Sequence, residues 1–159
     1  AERFGGESVT LYAPAIVANR DTRDALMAND TVRQSLTRAQ QADMALVGVG
    51  DILEDSNMVR MGWFTQEEIN AVRRLGVVGD IMGYDFIDMD GNLADTPLVG
   101  RVIGLTIEHL RHIPDVIATA SEPTKVGGIL GALRTGTIDT LATTESIAET
   151  VLGLDQSRR

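Results

Sequence analysis

The sequence contains no cysteine, which excludes a disulfide framework and a zinc site built on thiolates. It also has no uncharged apolar run of the roughly 18 residues that a membrane-spanning helix requires, and its first residues lack the apolar core of a signal peptide. We therefore expect a cytoplasmic protein with no membrane partner. No complete cofactor or metal motif is visible, and no cofactor is predicted.

Positive charge is scarce as well. The 159 residues include 14 Lys and Arg against 23 Asp and Glu, which gives a formal net charge of −9, and Lys125 is the single lysine. Contact with a nucleic-acid backbone depends on clustered cationic side chains, so this balance argues against direct DNA or RNA binding by this chain. The acidic residues are scattered, which is typical of a surface kept soluble by self-repulsion.

The residues that are present suit one globular α/β domain. Hydrophobic residues make up 43% of the chain and charged residues 23%, and 159 residues are enough for one buried core. Periodicity and capping residues predict alternating strands and helices. The predicted strands are residues 8–12, 43–51, 77–82, 116–120 and 138–142. The predicted helical segments are residues 21–41, in which Asn29-Asp30 opens a second helix, and residues 65–75, 106–111, 125–134 and 144–152.

This order of elements predicts a mainly parallel, Rossmann-like sheet flanked by helices. Residues 43–51 form an almost continuous apolar run, which is typical of a central strand buried on both faces. The Asp90-Gly91 turn predicts a small antiparallel hairpin between residues 86–88 and Leu93. We therefore expect an α/β domain with one antiparallel side feature.

Ligands of parallel α/β sheets bind beyond the carboxyl ends of the strands. That rule selects four segments of this chain: Ala13-Pro14, Gly48 to Asp51, Gly79-Asp80 and residues 122–125. Gly48 and Gly50 would let the backbone approach a ligand and offer N–H donors, and Asp51 completes that segment of the predicted site. A tight turn without a ligand would explain the same glycines.

Two charged residues in these segments predict specific contacts. Asp80 interrupts an apolar strand, so its carboxylate needs hydrogen-bond donors or a cleft, and ligand hydroxyl groups would satisfy it. Lys125 lies in the first turn of a predicted helix, where the helix dipole opposes a cation. A phosphate or carboxylate group on a small ligand would resolve that conflict, as would a salt bridge to Glu122.

An apolar group lies in the irregular stretch at residues 52–64. Its members are Met58, Met61, Trp63 and Phe64. Core packing, a lid over a ligand and an oligomer contact would each explain this group, and the sequence leaves the three alternatives open.

Five segments in a fixed order carry a family resemblance. They are residues 11–15 (Leu-Tyr-Ala-Pro-Ala), 42–50, 76–81 (Gly-Val-Val-Gly-Asp-Ile), 125–136 (beginning Lys-Val-Gly-Gly) and 138–148. Together they resemble the C-terminal sugar-binding, or effector, domain of SorC/DeoR-type bacterial transcription regulators, over nearly the whole chain.

The resemblance implies a fold related to sugar-phosphate isomerases and glucosamine-phosphate deaminases, and a phosphorylated sugar or polyol as the effector. It places ligand contacts at Asp80 and Lys125 and implies a homo-oligomer, either a dimer or a tetramer. DNA would be contacted only by a helix-turn-helix that this chain lacks, so the expected function is ligand sensing that modulates DNA binding. The alternative is a phosphosugar isomerase or deaminase, for which Asp80 is the candidate general base.

The sequence departs from the family pattern in two places. Family members carry a DNA-binding segment and then a first strand with a phosphate loop before the part matched here. Residues 1–154 are therefore expected to be an effector domain without that strand and loop, and residues 155–159 a disordered tail. Gly83-Tyr84 stands where the family has Gly-Arg, so the contact from that position stays open.

Overall fold

The computed structural model describes residues 3 and 5–158; residues 1, 2, 4 and 159, at the ends of the predicted domain and tail, lie outside the described residues. The described chain alternates between helices and strands. In chain order these are α1 (Arg20–Met27), α2 (Asp30–Gln40), β1 (Met44–Gly50), α3 (Asn57–Arg60), α4 (Gln66–Arg73), β2 (Val77–Ile81), β3 (Asp85–Asp88), α5 (Ile107–Leu110), β4 (Asp115–Thr119), α6 (Val126–Arg134), β5 (Thr140–Ala142) and α7 (Glu145–Gln156).

A five-stranded sheet with the order β3-β2-β1-β4-β5 organises the fold. Strand β4 pairs in parallel with both β1 and β5, whereas β2 runs antiparallel to both β1 and β3. Helices α5, α6 and α7 contribute apolar residues to the main core together with β1 and β4. The predicted α/β class is confirmed, as a mixed sheet with a parallel part formed by β1, β4 and β5.

The direction of β2 differs from the prediction, which places it among the parallel strands. Helices α3 and α4, which connect β1 to β2, bury their apolar residues in a second cluster with Phe86 and Leu98 rather than over the main core. The chain therefore reverses instead of crossing over. Strand β2 then turns directly into β3 through Met82 and Gly83, which have φ angles of 62° and 87°. The predicted hairpin contact to Leu93 is present as a bridge with Ile87.

The predicted strand at residues 8–12 is wrong. Val9 and Tyr12 are 49% and 76% exposed, and no strand pairs with this segment in the described part of the chain. The nearest sheet-like contact is an isolated bridge between Ile16 and Val102. The alternating apolar pattern of residues 8–12 lacks a partner strand, and a strand requires one.

The predicted helices are present with shifted ends. Thr65 begins α4 with a capping box, in which its Oγ1 accepts from Glu68 N at 3.2 Å and its N donates to Glu68 Oε2 at 2.8 Å. Helix α7 continues to Gln156, so Asp155 and Gln156 belong to the helix and not to the predicted tail. Arg134 Nη2 donates to Asp155 Oδ1 at 2.7 Å and holds this last turn against α6.

Strand β1 is buried on one face only. Val47 and Val49 are 7% and 2% exposed and belong to the main core. Met44 and Leu46 point to the other face and are 56% and 72% exposed. The prediction of burial on both faces is wrong for this chain, because no element of the described residues covers the second face at these positions.

Candidate ligand-binding site

A cleft of about 310 Å³ opens where β1 ends and β2 turns into β3. All five residues that the sequence predicts for ligand binding line it, namely Gly48, Gly50, Asp51, Asp80 and Lys125. Strand β2 reaches the same place although its direction is reversed, because Asp80 pairs with Gly50 in the antiparallel register. A volume near 300 Å³ is at the lower end of the range for small-molecule sites.

Asp80 is the buried acidic residue of the cleft, with 1% of its surface exposed. Its Oδ2 accepts a hydrogen bond from Gly83 N at 2.5 Å, whereas Oδ1 has no partner among the described residues. A buried acceptor without a donor costs about 1–3 kcal/mol. A ligand that brings a hydroxyl donor would remove this cost.

The environment of Asp80 favours the neutral carboxyl group. Burial raises the pKa of Asp80 from the usual 3.8 to about 7. The hydrogen bond from Gly83 and the positive charge of Lys125 lower this pKa, while the negative charges of Asp51 and Asp85 raise it. The side chain can therefore hold its proton at higher pH than an exposed aspartate, and in its protonated form it can donate as well as accept a hydrogen bond.

Gly50 makes room for the Asp80 carboxyl group. A Cβ atom at Gly50 would lie 2.1 Å from Asp80 Oδ1, so any side chain there would displace the carboxyl. At Gly48 a Cβ atom would meet no atom within 4 Å. The two predicted glycines thus differ: Gly50 is required by the packing of Asp80, and Gly48 borders open space in the cleft.

Lys125 is the N-cap residue of α6, and its side chain is only 15% exposed. Its Nζ lies 2.9 Å from Glu122 Oε2, so the salt bridge that the sequence offers as an alternative is present. The hydrogen bond from Lys125 is also the main reason that the pKa of Glu122 is lowered. Lys125 therefore has a protein partner and lines the cleft at the same time.

Asp51 connects the end of β1 to the loop before α6. Its Oδ2 accepts a hydrogen bond from Thr124 Oγ1 at 2.7 Å, and its Oδ1 accepts one from Leu53 N at 3.2 Å. Because Thr124 directly precedes Lys125, the Asp51 carboxylate holds the loop that carries the cation of the cleft.

The sequence does not assign the apolar side of the cleft, which Met58, Met61 and Trp63 provide. Phe64, from the same apolar group, is 3% exposed in the core and packs against Phe86 with ring centroids 5.7 Å apart. The group is therefore divided between core and cleft. Apolar composition is the only feature of the sequence that points to this group. Helix α3, on which Met58 lies, has four residues and is too short to show a helical period.

Within the described residues, no three or more His, Asp or Glu side chains are grouped so that they could hold a metal ion. His109 Nδ1 accepts a hydrogen bond from Thr106 N at 3.0 Å and so caps α5. None of the helices described is long and apolar enough to cross a membrane. Fold and cleft together define an α/β domain with a cleft large enough for a small molecule.

Comparisons with known proteins identify the family. Residues 1–153 match the model of a family of sugar-binding domains. Transcriptional regulator LsrR of Enterobacter sp. (strain 638) is 31% identical over 145 residues, which cover 89% of this chain and 45% of that protein. The structure of the sugar-binding domain of a transcriptional repressor from Vibrio fischeri superposes with a TM-score of 0.89 at 50% identity, covering 98% of this chain and 62% of that chain.

Another similar structure is the full-length sorbitol operon regulator SorC from Klebsiella pneumoniae, with a TM-score of 0.80 at 30% identity, covering 87% of this chain and 45% of that chain. The chain belongs to the family of sugar-binding domains of transcriptional regulators. It spans about half the length of the curated relatives it matches. The predicted SorC/DeoR resemblance is confirmed, and the relatives are regulators rather than isomerases or deaminases.

Proposed function

We propose that this domain binds a phosphorylated sugar or polyol in the cleft, and that the bound ligand modulates DNA binding by a helix-turn-helix elsewhere in the regulator. One observation carries the proposal: Asp80 Oδ1 is a buried acceptor without a donor, in a cleft that also contains Lys125. A sugar phosphate has both matching groups, since its hydroxyls can donate to Asp80 and its phosphate can pair with an ammonium group.

Lys125 supports the anion contact in spite of its salt bridge. Glu122 is 54% exposed, so its bond to Lys125 forms in contact with water and contributes little stability. A ligand phosphate can therefore compete for the ammonium group. Asp51 assists by holding the loop through Thr124, and the open space at Gly48 lets the ligand approach the backbone of β1.

The proposed effector unit extends to Gln156, the end of helix α7, and we propose that a further strand and phosphate loop of the regulator contribute phosphate contacts. The exposed side chains of Met44 and Leu46 support the additional strand and loop, because parallel strands are usually covered on both faces. We also propose that the regulator is a cytoplasmic homodimer or homotetramer. The net charge of −9 favours DNA contact through the helix-turn-helix alone.

Thermal unfolding with added ligands tests the proposal. The compounds are sugar phosphates and polyol phosphates, each beside its unphosphorylated form, with inorganic phosphate as a further sample. A ligand at about 100 times its Kd should stabilise the domain by about 2.7 kcal/mol. Asp80→Asn removes the charged acceptor and Lys125→Met removes the cation at similar length, so each should weaken binding by about tenfold or more.

Two exposed residues provide matched controls. Asp43→Asn and Arg73→Gln make the same kinds of change away from the cleft and should keep the affinity of the parent protein. If no compound stabilises the protein, the proposal is refuted. Equal losses in the cleft variants and the controls would also contradict it, because the ligand would then not depend on this cleft.

A further inference from the structure

The cleft has two chemically different parts. Asp51, Asp80 and Lys125 supply charged groups, whereas Met58, Met61 and Trp63 supply apolar surface. A ligand that satisfies both parts needs hydroxyl or anionic groups together with a continuous C–H surface. Trp63 is the largest of the apolar residues and the single tryptophan of the chain.

Trp63 is held in place through its backbone. Its N–H donates to the Met58 carbonyl at 2.9 Å, and its carbonyl accepts from Arg101 Nη2 at 3.1 Å. Arg101 is itself fixed, because its Nη1 lies 2.7 Å from Glu68 Oε1 and its Nε donates to the Val17 carbonyl at 2.8 Å. The backbone that carries the indole is therefore attached at two points to the fold.

Gly83 contacts both the Trp63 indole and the Asp80 carboxyl group, and it fixes their relative position. Its N–H donates to Asp80 Oδ2, and a Cβ atom at this position would lie 2.6 Å from Trp63 Cζ3. The ring thus packs directly against the same residue that orients the carboxyl. The acceptor Oδ1 and the aromatic surface consequently have a fixed separation, which favours a ligand of fixed shape.

From this arrangement we infer that Trp63 is a specificity-determining residue that stacks on the C–H face of a sugar ring and selects the cyclic sugar over an open-chain polyol. This inference rests on the proposed function. Aromatic faces attract C–H groups, which carry partial positive charge. A ring presents several C–H groups on one face without further ordering, whereas a polyol must lose torsional freedom to do so.

Matched pairs of compounds test this inference. Each pair is an aldose phosphate of five or six carbons, phosphorylated at its terminal oxygen, and the alditol phosphate made from it by reduction, such as glucose 6-phosphate with glucitol 6-phosphate. Reduction keeps the phosphate and the carbon number but removes the ring. Affinities are measured by calorimetry and by fluorescence, and the latter reports occupation of the cleft directly because Trp63 is the single tryptophan.

Parent protein should bind at least one aldose phosphate about threefold or more tighter than its alditol partner, and ring contact should change the Trp63 emission. Trp63→Phe keeps an aromatic face and should keep the preference. Trp63→Leu keeps apolar volume without a flat face, and it should bind the aldose phosphate and its alditol partner with nearly equal affinity. Circular dichroism verifies that both variants fold, and the ratio within a pair is insensitive to a uniform loss of affinity.

The outcomes separate this inference from the proposed function. If the parent binds both members of a pair equally, or if Trp63→Leu keeps the ratio of the parent, stacking by Trp63 is refuted while sugar-phosphate binding stands. If the parent binds no member of any pair, the inference fails, and the thermal unfolding panel of sugar and polyol phosphates decides separately whether the proposed function stands.

Discussion

Asp80→Asn should make the protein more stable at neutral and alkaline pH, although it removes a charged residue from the cleft. The reason is the raised pKa of this buried carboxyl group, which is about 7 in the folded protein against the usual 3.8. Asparagine has nearly the same shape as the neutral carboxyl group and does not ionise. The substitution therefore removes the cost of a buried charge and keeps the packing beside Gly50.

The sign and size of the effect follow from proton linkage. The folded protein binds the Asp80 proton more tightly than the unfolded chain does, so the free energy of unfolding falls as the pH rises from about 4 to about 7. At about 1.4 kcal/mol per pKa unit, a change from 3.8 to about 7 corresponds to about 4 kcal/mol. Burial also raises the pKa of Asp85, to about 6, so Asp85 likewise lowers the free energy of unfolding as the pH rises.

Urea unfolding followed by far-UV circular dichroism measures this effect. The parent should lose stability between about pH 4 and about pH 7, and Asp80→Asn should lose clearly less, so that the variant is the more stable protein at pH 7 and above. Asp43→Asn, an exposed control, should follow the parent curve. A variant whose stability falls with pH as steeply as that of the parent would show that Asp80 does not titrate in this range.

Four further substitutions test the packing of the fold. Gly50→Ala should destabilise the protein by about 1–3 kcal/mol and abolish ligand stabilisation, because its Cβ would lie 2.1 Å from Asp80 Oδ1. Gly48→Ala should change the free energy of unfolding by less than about 0.5 kcal/mol, because its Cβ would meet no atom within 4 Å. Similar urea midpoints for the two variants would contradict this geometry. Gly153→Ala in α7 should raise the urea midpoint, by about 0.5–1 kcal/mol, because its Cβ would meet no atom within 4 Å. Thr65→Ala removes a helix cap and should cost about 1 kcal/mol in the same assay, and an unchanged midpoint would show that the capping box is dispensable.

Local features of the sequence are sufficient to predict most elements and to select residues that line the cleft. Capping residues and apolar periodicity predicted every helix from α1 to α7 except the four-residue α3, because these signals depend on neighbours within a few positions. Asp80 and Lys125 were found because each conflicts with its local environment, the former within an apolar strand and the latter at a helix start. Such conflicts are visible without coordinates.

Only the tertiary structure determines how the predicted helices and strands pack together. The reversed direction of β2 depends on where α3 and α4 bury their apolar residues, and the exposed second face of β1 depends on which elements lie above it. The division of the 58–64 group between core and cleft, and the missing donor at Asp80 Oδ1, depend on contacts between segments far apart in the chain. A pattern of residues specifies which side chains are apolar or charged, but burial and hydrogen bonding are properties of the packed chain, and they determine what the cleft can bind.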